Sequence, residues 1–218
     1  MKYLFLIICF SLFVNDVSAQ KDLTITYESG PIAYDSTKPR SGVKKLVLVI
    51  RDTISYEYGL HNNEKLNPKK PLGSRFHWHS RYKNYSDRKV IFQSEPFQKP
   101  KYCVSDTLKE IQWELMGGEK FILGYSCQKA SAIIDSNEVE VFYTTQLQTN
   151  AGPFYYWGLP GAILEFWKVG SAYIDRAIEV SLSAEEIVKP DNGKKISRSE
   201  FDKILKEIYS NRAIIRTN

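Results

Sequence analysis

Only three histidines and three cysteines occur among the 218 residues. His77 and His79 flank Trp78, so in a strand both imidazoles would share one face. A zinc site takes three or four ligands, however, and His61 is the remaining histidine. No metal is expected. Gly124-Tyr125-Ser126-Cys127-Gln128 begins like a nucleophile elbow, but Gln128 stands where the closing glycine belongs. The serine also falls in a strand, not at a strand-to-helix turn. No other nucleophile–base arrangement is readable, so neither catalytic residues nor a cofactor is expected. Beyond the first 14 residues no run of 18 apolar side chains occurs, and the processed chain is expected to be soluble or peripheral to a membrane. Internal repeats and low-complexity tracts are missing too.

What the N-terminus does have is a leader pattern. Lys2 is followed by an apolar stretch from Tyr3 to Val14, then by Val17-Ser18-Ala19, which fits a small-residue cleavage site before Gln20. Residues 1–19 therefore read as a signal peptide and 20–218 as one domain of 218 − 19 = 199 residues, enough to bury a core. Export is expected, to the periplasm or in association with an outer membrane. Cys9 lies inside the leader, which leaves Cys103 and Cys127 as a candidate disulfide in an oxidising compartment. Two separate buried thiols are the alternative.

Periodicity reads as strand almost throughout. "LTITYES" (residues 23–29) alternates weakly. "KLVLVIRDTISYEYG" (45–59) joins a continuous apolar run to an alternating one, as one long strand would. "KVIFQSE" is a further strand. Ile111, Trp113 and Leu115 alternate with polar neighbours, and Gly117-Gly118 predicts a hairpin turn before "KFILGYSCQKASAII" returns. Asp135-Ser136-Asn137 predicts the next turn and "VEVFYTTQL" the next strand. Late in the chain Ser197 and Glu200 form the S-x-x-E capping box. Phe201, Ile204, Leu205, Ile208 and Tyr209 follow at helical spacing, so a helix is expected over 198–211. The fold class is mainly β: a single curved antiparallel sheet or half-barrel with a C-terminal helix, or alternatively a β-sandwich.

The most apolar stretch, "FYYWGLPGAILEF" (154–166), contains a turn signal. Pro160 fixes φ, and Gly161 is expected to supply a positive φ for a type II turn over Leu159-Pro160-Gly161-Ala162. Gly158 removes a side chain where backbones pass closely. Tyr155, Tyr156 and Trp157 then line either a structural corner or the wall of an apolar ligand pocket. In an extended strand Tyr155 and Trp157 would share a face opposite Tyr156. Between Lys65 and Lys89 eight Lys/Arg accompany one acid, with Phe76, Trp78, Tyr82 and Tyr85 interleaved. This reads as a solvated connection or as a contact for phosphorylated lipid or acidic glycan. A nucleic-acid partner is not expected for an exported chain of net charge +5.

The segment Gly124 to Ala130, Tyr143-Thr144, Gly152-Pro153 and Gly158-Leu159-Pro160-Gly161-Ala162-Ile163-Leu164 resembles the GLPGLI family of exported proteins of Gram-negative bacteria, with Ala162 where that family usually has leucine. The resemblance implies an exported β-rich protein, and no activity or catalytic residue comes with it. The β-rich pattern is also similar to that of outer-membrane lipoprotein carriers, half-barrels that hold acyl chains. Two functional expectations follow: a non-enzymatic envelope protein holding a lipid-like or apolar ligand, or an interaction module docking on an envelope partner through aromatic and basic segments. Oligomeric state is not readable.

Overall fold

The computed structural model describes residues 22–32, 44–61, 64–65, 80–94 and 100–215. The leader, His77 and His79 lie outside these residues, as does much of the basic segment. Thirteen strands form one sheet: β1 (Asp22–Pro31), β2 (Lys44–Arg51), β3 (Ile54–His61), β4 (Glu64–Lys65), β5 (Ser80–Asn84), β6 (Lys89–Ser94), β7 (Tyr102–Thr107), β8 (Glu114–Ile122), β9 (Tyr125–Ile134), β10 (Asn137–Thr144), β11 (Ala162–Lys168), β12 (Tyr173–Ser181) and β13 (Lys194–Ser197). One helix, α1 (Arg198–Ile215), ends the described chain.

Period-two alternation places the core. Leu23, Ile25 and Tyr27 of β1 are buried, and their neighbours Thr24 and Thr26 only partly. Leu48 and Ile50 of β2, Val90 and Phe92 of β6, Val104 of β7 and Phe166 of β11 continue the same inner surface. The sheet is one large, curved, open layer, as expected, not a sandwich. Its order is β13-β7-β6-β5-β3-β2-β1-β12-β11-β10-β9-β8, with β4 beside β3. The described chain thus enters mid-sheet at β1, meanders outward to β7, crosses to the far edge at β8, and meanders back until β12 pairs antiparallel with β1. After β12, residues 182–193 run as a strap along the opposite, outer face. Thr24 and Arg51 donate to the carbonyls of Ser183 and Ala184, and Gln93 to that of Asn192. The strap delivers β13 to the edge, parallel to β7.

The helix begins where the capping box predicts. The Ser197 amide donates to the Glu200 carboxylate at 2.8 Å, and the Glu200 amide to the Ser197 hydroxyl at 3.3 Å. Phe201 is buried edge-on against Phe92 and Tyr102, so α1 covers the inner face at the β7 end.

Several local expectations are corrected. The run 45–59 is two strands, because Asp52 takes φ 55° and turns the chain with Thr53; aspartate tolerates that region better than most residues. Gly117-Gly118 is a bulge inside edge strand β8, with Gly118 at φ 123°. The hairpin turn is Leu123-Gly124, both at positive φ. The turn at Asp135-Ser136 is found as expected. Cys103 and Cys127 are both buried and free, not bridged. They lie on β7 and β9 with eight strands between them, and the Cα atoms of a disulfide must approach to about 7 Å or less. Burial pushes both thiols up, Cys127 to about 11.

Candidate functional site

The middle of the inner face is charged, not apolar. Glu57 of β3 pairs across the sheet with Arg81 of β5, and Ser55 with Lys83, so four polar side chains point inward together. All are buried, Glu57 and Lys83 completely. Such charges persist away from water only when paired and fully hydrogen-bonded. Arg81 Nη1 and Lys83 Nζ donate to the two oxygens of Glu57, at 2.5 and 3.0 Å. Further partners of Glu57 and Lys83 come from residues 150–161. The Phe154 amide donates to Glu57 Oε2 at 2.8 Å, and Lys83 Nζ donates to the carbonyls of Gly152 and Phe154. Tyr85, bonded to the Ser55 hydroxyl, also reaches the Gly152 amide. Phe154 sits at φ 52°, a strained conformation for a bulky residue that these bonds hold in place.

This cluster pins the aromatic loop to the sheet. The Arg81 guanidinium stacks 4.5 Å over the Tyr155 ring, and the Tyr155 hydroxyl donates to Asp106 and accepts from Arg198. Burial, opposed by Arg81 and assisted by Asp106, pushes that phenol up to about 12. Tyr156 packs edge-on to Phe166 and Phe154. Trp157 stacks on Tyr85, donates from Nε1 to the Lys109 carbonyl, and accepts at its own carbonyl from Trp113. The connection between β7 and β8 thereby joins the loop over the inner face. Asp175, paired with Phe166 on this face, is raised by burial to about 6 although Ser29 donates to it.

Residues 154–157 are a turn and an irregular segment, not a strand, so the expected two-faced division does not occur and all three rings meet protein partners. Gly161 does not take a positive φ; Gly158 does, at 94°. The reason for Gly161 is proximity: an added Cβ would lie 2.0 Å from the Thr144 carbonyl oxygen. At Gly152 it would lie 2.1 Å from that of Tyr156. Leu159, Ala162 and Ile163 are core residues, and Pro160 is exposed. From the basic segment, Arg81 and Lys83 belong to this buried cluster and not to a solvated connection. Sequence reading missed Glu57, Arg81 and Lys83. The available signal was their equal offset on neighbouring strands, legible only once the pairing of β3 with β5 is known.

A second cluster of the same composition lies on the outer face. Glu165 of β11, 2% exposed, accepts from Lys120 of β8 and Arg176 of β12, each at 2.5 Å. The cation side chains are 35% and 27% exposed, and Lys120 lies 4.8 Å over the Phe142 ring. Among the described residues no group of histidine, cysteine and carboxylate side chains could hold a metal, and no helix is long and apolar enough to cross a membrane.

Two solved structures share this architecture, the structures of PNGF-II in the P21 and C2 space groups. Their TM-scores are 0.63 and 0.61, at 18% identity over 84% of this chain. The chain spans 32% of the length of either. No functionally curated protein matches. The family model described as "N-glycanase peptide, N-terminal domain" matches residues 86–204, more than half of the chain. This overturns the resemblance to the GLPGLI family; in this chain Gly161 of the Gly-Leu-Pro-Gly stretch answers to a tight backbone approach at Thr144. The chain belongs to the family of the N-glycanase peptide N-terminal domain.

Proposed function

We propose that this protein is a non-catalytic accessory module of glycan-processing proteins, exported by its leader and acting through its surface. The observation that carries this reading is the closed centre of the inner face. The loop whose aromatics could have walled a ligand pocket is bonded down to Glu57, Lys83, Asp106 and Lys109. Where a carrier would offer room for an acyl chain, Phe154, Tyr156 and Phe166 pack edge to face. A protein partner is favoured by this end of the sheet, where β8 is the edge strand among the described residues and Leu115 and Phe121 of β8 and Ile133 of β9 are 67%, 78% and 71% exposed. The solved PNGF-II chains carry this fold as about a third of a longer chain, which supports a role beside other domains.

The test has two arms on the intact processed protein. A denatured N-glycosylated glycoprotein should lose no glycan on incubation with it, and a fluorescent fatty acid should show no saturable binding. Glycan release would make the chain an enzyme. Saturable probe binding would make it a lipid carrier, and either result overturns the accessory reading.

A further inference from the structure

On the outer face, between the strap and strands β6, β7 and β13, lies a groove of about 690 Å3. Register explains its floor: Ile91 pairs with Ser105, Gln93 with Cys103, and Cys103 with Lys195, so these side chains all leave the sheet on the side away from Phe92 and Val104. The strap closes the top at Pro190, whose carbonyl accepts from the Cys103 thiol at 3.5 Å. The groove is rimmed by Lys89, Lys189 and Lys195, and none of the three forms an ion pair among the described residues. Two acids line it as well, but Glu200 is engaged with Ser197 in capping α1, which leaves Asp191 as the uncommitted carboxylate.

We propose that this groove binds an anionic polyol, a sugar unit carrying carboxylate or sulfate. Three ammonium groups without an ion pair among the described residues, against the carboxylates of Asp191 and Glu200, leave one positive charge in excess. The capping bonds already occupy one Glu200 oxygen, so an anion is favoured. Asp191 and the exposed Ser105 hydroxyl suit a ligand that also carries hydroxyl groups, and Ile91 and Pro190 suit the C–H face of a ring. A bare polyphosphate would leave these groups unused. The volume falls within the range of small-ligand sites, roughly 300–1,000 Å3, and accommodates one or two sugar rings. Burial keeps the Cys103 thiol neutral, so it serves as an inert part of the floor. The choice of a sugar as the ligand's body rests on the accessory reading above; the anion preference does not.

Titration of the intact protein with a sulfated uronate disaccharide, with neutral maltose and with inorganic sulfate, followed by backbone amide shifts, tests the proposal. The sulfated disaccharide should shift amides around residues 89–91, 103–105 and 189–197 saturably. Maltose should shift none, and inorganic sulfate should bind at least about tenfold more weakly, since the hydroxyl contacts are missing. Lys195→Glu should weaken the disaccharide about tenfold, the worth of one charge-assisted contact. Lys168→Glu, at the far end of β11, should leave it unchanged. Should Lys195→Glu not fold, Lys189→Gln on the irregular strap makes the same comparison. Equal binding of maltose would show that the charge is unused, and equal binding of sulfate would mean an adventitious ion only. Either result, no saturation, or shifts mapping elsewhere overturns the proposal. Glycan release or fatty-acid binding would sink the accessory reading while leaving the anion preference of the groove standing.

Discussion

Two clusters of one glutamate and two cations lie on opposite faces of the same sheet, and they are not equivalent. In the inner one, Glu57 with Arg81 and Lys83, all three side chains are out of water and the loop backbone adds bonds to Glu57 and Lys83. In the outer one only Glu165 is buried, and Lys120 and Arg176 keep contact with solvent. The chemistry is shared; the cost of breaking it is not. A buried pair that loses one partner leaves charges that water cannot reach, whereas partly exposed cations turn outward and rehydrate. The inner cluster therefore acts as a fastening between loop and sheet, and the outer one as a local clamp.

The largest expected effect is that of Glu57→Gln, which strands Arg81 and Lys83 and should cost about 3–5 kcal/mol in denaturant unfolding. An effect no larger than that of the outer cluster's equivalent would abolish the distinction. Next comes Gly161→Val, at about 3 kcal/mol, since the side chain must displace the Thr144 carbonyl. The loss should couple non-additively to Glu57→Gln if loop and inner cluster are one unit, and add simply to Glu165→Gln. Glu165→Gln itself should cost about 1 kcal/mol, and that cost should shrink in high salt while the Glu57 effect persists.

The smallest effect sharpens the comparison through a carboxylate outside both clusters. Asp175 has a folded-state pKa near 6, above its ordinary 3.8, with burial as the leading cause. Because the folded pKa is raised, its contribution is most favourable below pH 3.8 and declines as the pH rises through 6. Asp175→Asn should remove that decline and add about 1 kcal/mol at pH 7, after discounting for partial exposure. A chemical-denaturation series from pH 4 to 8 checks it; a parallel pH profile for wild type and variant would show Asp175 to be ordinary.

How much of this was legible depends on the range of the interaction. The alternation of β1, the strand character of β6 and β10 and the capping box of α1 are local, and each was readable from a few consecutive residues. Turn positions were only half legible. Gly-Gly outranks Leu-Gly as a turn signal, yet it forms the bulge, because β8 is an edge strand on which a distortion breaks no second ladder. The inner cluster was hidden because lysine and arginine read as solvent-facing until a partner is known, and Glu57 stands more than twenty residues from either. Gly161 was correctly singled out but for the wrong cause, since a close approach at Thr144 leaves the same residue choice as a positive φ. The cysteine pairing failed for want of topology: export and an even count say nothing about which strands are neighbours.

The seam between β1 and β12 sets the order of events in folding. Every other antiparallel pair joins strands of the same half, so β1–β7 and β8–β12 can each form their ladders before the halves meet. Pairing Ile25 with Val180 closes a loop of more than 150 residues. That step is slow, because loop-closure entropy is lost before the new contacts form. Until it happens, each half presents an open hydrogen-bonding edge, and two chains at high concentration can complete one another's sheets there. The refolding yield of this protein should accordingly fall with concentration, with domain-swapped dimers as the characteristic by-product.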